Sequence, residues 1–184
     1  MAAVRVAYFM PIDESLAFVP LHIAVLTVSD TRHAGNDTSG DVLVARLEAA
    51  GHRLAARAII RDEVPALVAG FNLWIDDPAV DVIITTGGTG VTGRDVTPEA
   101  LDQVIEKHIP GFGELFRWLS FQSIGTSTIQ SRACAGLARG TYIFCLPGST
   151  GAVKDGWDGI LASQLDARHR PCNFVDLIPR LKER

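Results

Sequence analysis

Apolar runs alternate with amphipathic stretches along most of the chain. Leu21 to Ser29 (LHIAVLTVS) is β-branched and almost wholly apolar, which predicts a strand buried on both faces. Asp37-Thr38-Ser39-Gly40 offers N-caps to an amphipathic helix over 41–50, with Val42, Leu43, Leu47 and Ala50 on one side and Gly51 as its stop. Arg53 to Ile60 reads as a second strand, and Asp62 as a cap for a helix running to about Ile75. Val80 to Thr86 (VDVIITT) predicts a third buried strand, leading into the Gly-rich run 87–93. Thr97-Pro98-Glu99 has the cap, proline and acid of a helix start, for a helix ending near His108. Pro110-Gly111 breaks the chain before a helix from Gly113 to Ser123, and a short helical piece follows over 127–132. Cys134 to Ala138 and Thr141 to Leu146 predict two strands around a tight Arg139-Gly140 hairpin. Ser149 then caps a final helical region to about Ala167.

Strands alternating with helices predict an α/β fold, a three-layer α/β/α sandwich whose mostly parallel sheet is made mixed by one hairpin. Residues 1–20 read as an N-terminal arm, 21–170 as the domain and 171–184 as a polar tail. At 184 residues the chain has the length of one domain with a substantial core. Hydrophobic residues make up 47% and charged ones 21%, which excludes a largely disordered chain. The net charge of −4 argues against a general nucleic-acid binder, so any polyanion must be held by a local site. No apolar stretch approaches the ~20 residues that cross a bilayer, and the start of the chain makes a poor signal peptide. Three cysteines without CxxC, and five histidines without HxH or HExxH, predict neither a disulfide framework nor a zinc site. They fit a reduced, cytoplasmic compartment.

Four segments that look functional each follow directly on a predicted strand: Ser29-Asp30-Thr31-Arg32, Arg61-Asp62-Glu63, Thr86-Gly87-Gly88-Thr89-Gly90 and Pro147-Gly148-Ser149-Thr150. Open α/β sheets bind ligands at the carboxyl ends of their strands. Three glycines in the four residues from Gly87 to Gly90 exceed what a turn requires, and successive backbone N–H groups there form an anion-binding nest without net positive charge. The run also spells the spacing of a dinucleotide fingerprint and nearly that of a P-loop. The helix start at Pro98 comes too late for the first, and Arg94 and Asp95 replace the Lys and Ser/Thr of the second.

Asp95 beside a phosphate nest repels the ligand unless a cation intervenes. Magnesium bridging Asp95 and Asp62 to phosphate is the natural solution, although Asp62 also suits a helix cap and Asp95 a turn. Ser149 offers a hydroxyl and helix N-terminal amides to a second phosphate, or serves as a plain cap. Arg94, Arg132 and Lys154 are candidate phosphate-neutralising cations. Trp74, Trp118 and Trp157 read as core or subunit-interface residues. No Ser–His–Asp or Cys–His arrangement is apparent.

The segments VLTVSDTR, DTSGDVL, TTGGTGVTGRDVTPEAL, PGFGELFRWLSF, IGTSTIQSRA, LPGSTGAV and QLDARHRPCNF, in this order from about Phe18 to Phe174, resemble the MoaB/MogA family of molybdenum cofactor biosynthesis proteins. Two of these patterns, GTSTIQSRA and RPCNF, resemble the B branch rather than the A branch. The resemblance implies a molybdopterin-binding fold assembled as a homotrimer or a hexamer of two trimers. It implies adenylyl transfer, in which molybdopterin and MgATP give adenylyl-molybdopterin and pyrophosphate. Asp62 and Asp95 match the family's acidic pair, implied to be catalytic and to hold Mg2+. Thr86, Gly87, Gly88, Thr89 and Gly90 match its nucleotide-phosphate loop. Gly148 and Ser149, with Ser131 and Arg132, fall where molybdopterin is held. The non-enzymatic alternative is a molybdopterin carrier of the same fold, and a nicotinamide oxidoreductase is a distant third.

Overall fold

The computed structural model describes residues 12–183. Six strands form one sheet in the order β2-β1-β3-β6-β5-β4: β1 (His22–Val28), β2 (Arg53–Ile60), β3 (Val82–Thr86), β4 (Lys107–His108), β5 (Cys134–Ala138) and β6 (Thr141–Leu146). The pairings of β1 with β2 and β3, and of β3 with β6, are parallel. The β5 strand runs antiparallel to β6, and β4 antiparallel to β5. The mixed three-layer sandwich is therefore present. β1 and β3 are flanked on both sides and covered on both faces, which is why their sequences are dominated by apolar and β-branched residues, with the threonines Thr27, Thr85 and Thr86 buried at their carboxyl ends. Between β5 and β6 both residues of the two-residue turn take positive φ, Arg139 at 48° and Gly140 at 97°, as a tight hairpin requires.

Helices α1 (Thr38–Ala49), α4 (Pro110–Ile124) and α5 (Thr150–Gly156) pack on one face, where Leu43, Leu47, Phe112, Phe116 and Val153 meet Ile23, Val25 and Ile84. Helices α2 (Val64–Ile75) and α3 (Thr97–Asp102) cover the other, where Leu67, Phe71 and Leu101 meet Ala24, Leu26 and Ile83. Trp74 and Trp157 belong to these cores, whereas Trp118 on α4 is 51% exposed.

Several boundaries differ from expectation. The α3 helix ends at Asp102 rather than near His108, because Lys107 and His108 leave it to pair with Leu137 and Gly136 of β5. The helix after Ser149 is interrupted by a π turn, Trp157–Leu161, and ends with α6 (Ala162–Gln164). Asp62 does not cap α2: the cap position is Glu63, and no side-chain bond is made there. The tail is fastened to the domain, with Phe174 against Tyr142 and Phe144, and Val175 buried. Within the arm, residues 1–11 lie outside the described residues. The rest packs on the same chain: the Asp13 amide donates to the Arg168 carbonyl at 2.8 Å, and Phe18 lies 5.1 Å from the His52 ring.

Candidate functional site

Because β1, β2, β3 and β6 are parallel, the loops that follow them share the carboxyl edge of the sheet. The strand order reverses between β1 and β3, the position at which such sheets open a crevice. A cleft of about 420 Å³ lies there, lined by Thr27, Ser29, the run from Thr86 to Gly90, Asp95, Gly148 and Ser149. Asp62, the carboxylate of the β2 loop, stands at its mouth: a Cβ on Gly88 would lie 3.2 Å from Asp62 Oδ1.

The glycine loop is held in one shape. Gly87 and Gly88 have φ of 108° and 65°, and a Cβ on either would strike Val28 O at 2.2 Å or Thr97 Oγ1 at 2.3 Å. Thr97 fixes both residues, its hydroxyl donating to the Gly87 carbonyl at 2.9 Å and its amide to the Gly88 carbonyl at 3.0 Å. Thr97 was expected as a helix cap; it is the first residue of α3 and an anchor of this loop. The Gly87 amide is spent on Leu146 O at 2.9 Å. Among the described residues, the amides of Gly88 and Thr89 have no acceptor within the protein, so the nest is narrower than the run of glycines implies. Thr86 is buried, and its hydroxyl donates to Pro147 O at 3.1 Å, tying the two loops together. The Thr89 hydroxyl is buried without a hydrogen-bond partner.

Arg132 supports this loop from behind. Its guanidinium donates to the carbonyls of Gly90 and Asp95, each at 2.6 Å, and pairs with Glu99. It lines neither this cleft nor its neighbour, so the structure separates Arg132 from the other residues implied for molybdopterin. Ser149 acts as the N-cap of α5, accepting from the Ala152 amide at 3.1 Å, while still lining the cleft. Lys154 is exposed on α5.

A second cleft of about 450 Å³ adjoins the first through Thr89, Gly90, Pro147 and Ser149. Phe116 lies in it, with hydroxyls from Ser120, Ser123, Ser127 and Ser131 and the carboxylate of Asp155. Ser120, Ser123 and Ser127 escaped sequence reasoning because serines in a helix and a short connector carry no distinctive spacing.

The two carboxylates differ in state. Burial pushes the Asp62 carboxyl above its ordinary range, as do Asp30 and Asp95, against a smaller pull from Arg94. Burial also acts upward on Asp95, but the Thr92 hydroxyl at 2.7 Å and amide at 2.9 Å, with the Gly90 amide, outweigh it and hold Asp95 below that range. Asp95 thus does serve its turn, through Oδ2. Behind the cleft wall, fully buried Asp37 caps α1 through the Gly40 amide at 3.0 Å. It also accepts from the Thr27 hydroxyl and from Arg57, each at 2.7 Å. The DTSG run announced the cap; nothing in the sequence pointed to Arg57.

The model of a family described as "Probable molybdopterin binding domain" matches residues 24–167. The molybdenum cofactor biosynthesis protein B of Escherichia coli (strain K12) is 49% identical over 169 residues, 92% of this chain and 98% of that one. This chain belongs to the MoaB/MogA family of molybdenum cofactor biosynthesis proteins. The family's B branch is also represented by the Bacillus subtilis (strain 168) protein of the same name, 44% identical over 77% of this chain and 84% of that one. A crystal structure of a molybdenum cofactor biosynthesis protein B superposes with a TM-score of 0.82 at 33% identity, covering 92% of this chain and all of the other. No helix among the described residues is long and apolar enough to cross a membrane.

Proposed function

We propose that this MoaB/MogA family member binds molybdopterin and MgATP and transfers AMP to the molybdopterin phosphate, releasing pyrophosphate. The observation that carries the reading is the pairing of Asp62 and Asp95 across a glycine nest that opens directly into a second, hydroxyl-lined cleft. The free amides of Gly88 and Thr89 suit nucleotide phosphate, and the hydroxyls of Ser131 and Ser149 with the Phe116 ring suit a flat polar heterocycle bearing a phosphate.

The donor set fits magnesium. No cluster of three or more metal-binding side chains occurs among the described residues, and magnesium takes one or two carboxylates with phosphate and water completing its shell. When bound, the ion neutralises phosphate charge. The reaction forms a bond from a molybdopterin phosphate oxygen to the α-phosphorus and breaks the bond to pyrophosphate. The attacking phosphate is already ionised at neutral pH, so the chain supplies no strong base. Its work is to hold two anions in line, with backbone amides facing the charge. Asp62 and Asp95 would hold the metal, and Arg132 positions the loop that carries Asp95.

Asp95 Oδ2 is committed to Thr92, which favours a second reading: a carrier that binds molybdopterin without turnover. Mixing the protein with MgATP and molybdopterin separates the two. Pyrophosphate release is expected; binding of both ligands without it would replace the enzyme by the carrier. The assembly belongs to the same proposal. Leu115, Trp118, Phe121 and Ile124 on α4 are exposed, which fits a homotrimer or hexamer. Light scattering should give a multiple of three copies of the 19.8 kDa chain, and a stable monomer would contradict this.

A further inference from the structure

Asp95 lines the first cleft and Asp62 stands at its mouth, and the carboxylates of Asp30 and Glu63 lie within electrostatic reach of Arg94 on the neighbouring loops. Arg94 is set among them, its guanidinium paired with Asp30 and its charge acting on Asp62 and Glu63. The Asp30–Arg94 pair bridges the loops after β1 and β3, the two strands between which the sheet order reverses. The Arg94 side chain is 64% exposed, and that of Asp30 33%. An ion pair so open to water is held weakly and exchanges partners readily.

We infer that Arg94 is an exchangeable counterion, which neutralises Asp30 and Asp62 in the free protein and turns to the phosphates when a magnesium-bound nucleoside triphosphate enters. This rests on the adenylyl-transfer reading above and adds how the site stays balanced before and after loading. Free of ligand, the mouth holds a surplus of negative charge that would repel a triphosphate, and Arg94 offsets part of it. On loading, the divalent ion takes over the carboxylates. The guanidinium, whose planar fork matches two phosphate oxygens, is then released from Asp30. Asp30 therefore restrains Arg94 rather than holding the ligand. Its removal should favour the nucleotide, whereas removal of Arg94 should oppose it.

The inference is tested with Arg94→Ala, Arg94→Lys and Asp30→Asn, using Mn2+ alone followed by resonance spectroscopy, and ATP with and without magnesium by calorimetry. Arg94→Ala should bind Mn2+ alone about threefold more tightly, since a competing charge has left the carboxylates. The same variant should bind MgATP roughly tenfold more weakly. Arg94→Lys should restore the wild-type Mn2+ affinity and only part of the nucleotide affinity, because an ammonium lacks the fork. Asp30→Asn should tighten metal-free ATP binding. A role confined to tying two loops together predicts that Asp30→Asn and Arg94→Ala weaken ATP binding alike. That outcome, or unchanged Mn2+ affinity in Arg94→Ala, overturns the inference and leaves the adenylyl-transfer reading standing. A wild-type protein that binds Mn2+ and no ATP overturns both.

Discussion

The cleft over the glycine loop and the cleft beside α4 share Thr89, Gly90, Pro147 and Ser149, yet their remaining walls are built by different means. The first is shaped by backbone: two glycines at positive φ, carbonyls held by Thr97 and Arg132, and a fully buried Asp37 behind Thr27. The second is shaped by residues of α4, α5 and the short connector after α4, four serines among them. Ser123, for example, donates to the Ser120 carbonyl at 3.0 Å. Backbone geometry fixes a site for a ligand whose recognisable feature is charge, since amides and carboxylates do not distinguish one base from another. Side chains suit a ligand recognised by shape and edge polarity. The contrast also separates where stability and where specificity reside.

The largest test of this contrast removes the buried acid. Asp37→Ala breaks a buried ion pair and a helix cap together, and should cost roughly 3 kcal/mol in urea unfolding. Ser123→Ala, its counterpart in the second cleft, should stay within about 0.5 kcal/mol. Similar losses at both sites would mean that the clefts are built alike. Next is Asp95→Asn, which keeps an acceptor for Thr92 while removing the charge. AMP transfer should fall at least ~10-fold, or about 1.4 kcal/mol of barrier, with molybdopterin binding and the melting temperature nearly unchanged. Unaltered transfer would remove Asp95 from the metal.

The smallest effect concerns Asp62 in the free protein. Its carboxyl titrates above the unfolded value, so the folded state holds the proton more tightly and ionisation costs stability once the pH exceeds that range. Asp62→Asn should therefore raise the apo melting temperature slightly at pH 7. The gain should vanish as the pH falls through the carboxylate range, where Asp62 is protonated in both states. A stabilisation that persists at low pH, or a destabilisation at neutral pH, would show that burial does not control this acid.

The strands and the common edge were legible because apolar runs such as IAVL and VIITT admit one reading, and because each candidate loop follows such a run directly. The early end of α3 was not. Val104 and Ile105 continue an apolar pattern that suits a helix, and the competing pairing partner, β5, lies some thirty residues later. The contacts of Arg132 were hidden for a related reason: its sequence neighbourhood looks like a phosphate site, and its bonds to carbonyls of a loop 37 and 42 residues earlier leave no local mark. Asp37 illustrates the intermediate case, in which a local role was visible and its burial against Arg57 and Thr27 was not. Residues bonded within a few positions announced themselves; residues bonded across the sheet did not.

Gly148 has a Cβ direction that ends 3.2 Å from the Gly87 Cα, and the Thr86 hydroxyl and Gly87 amide are fastened to Pro147 and Leu146 in the same place. Neither loop has room to swing while the other stays still. Transient opening of the two should then be a single cooperative event, in which any release of the loop at Pro147 also frees the Gly87 amide from Leu146 O to exchange with solvent deuterium. Two ligands that never touch the same side chain would still report to each other through the stiffness of this junction.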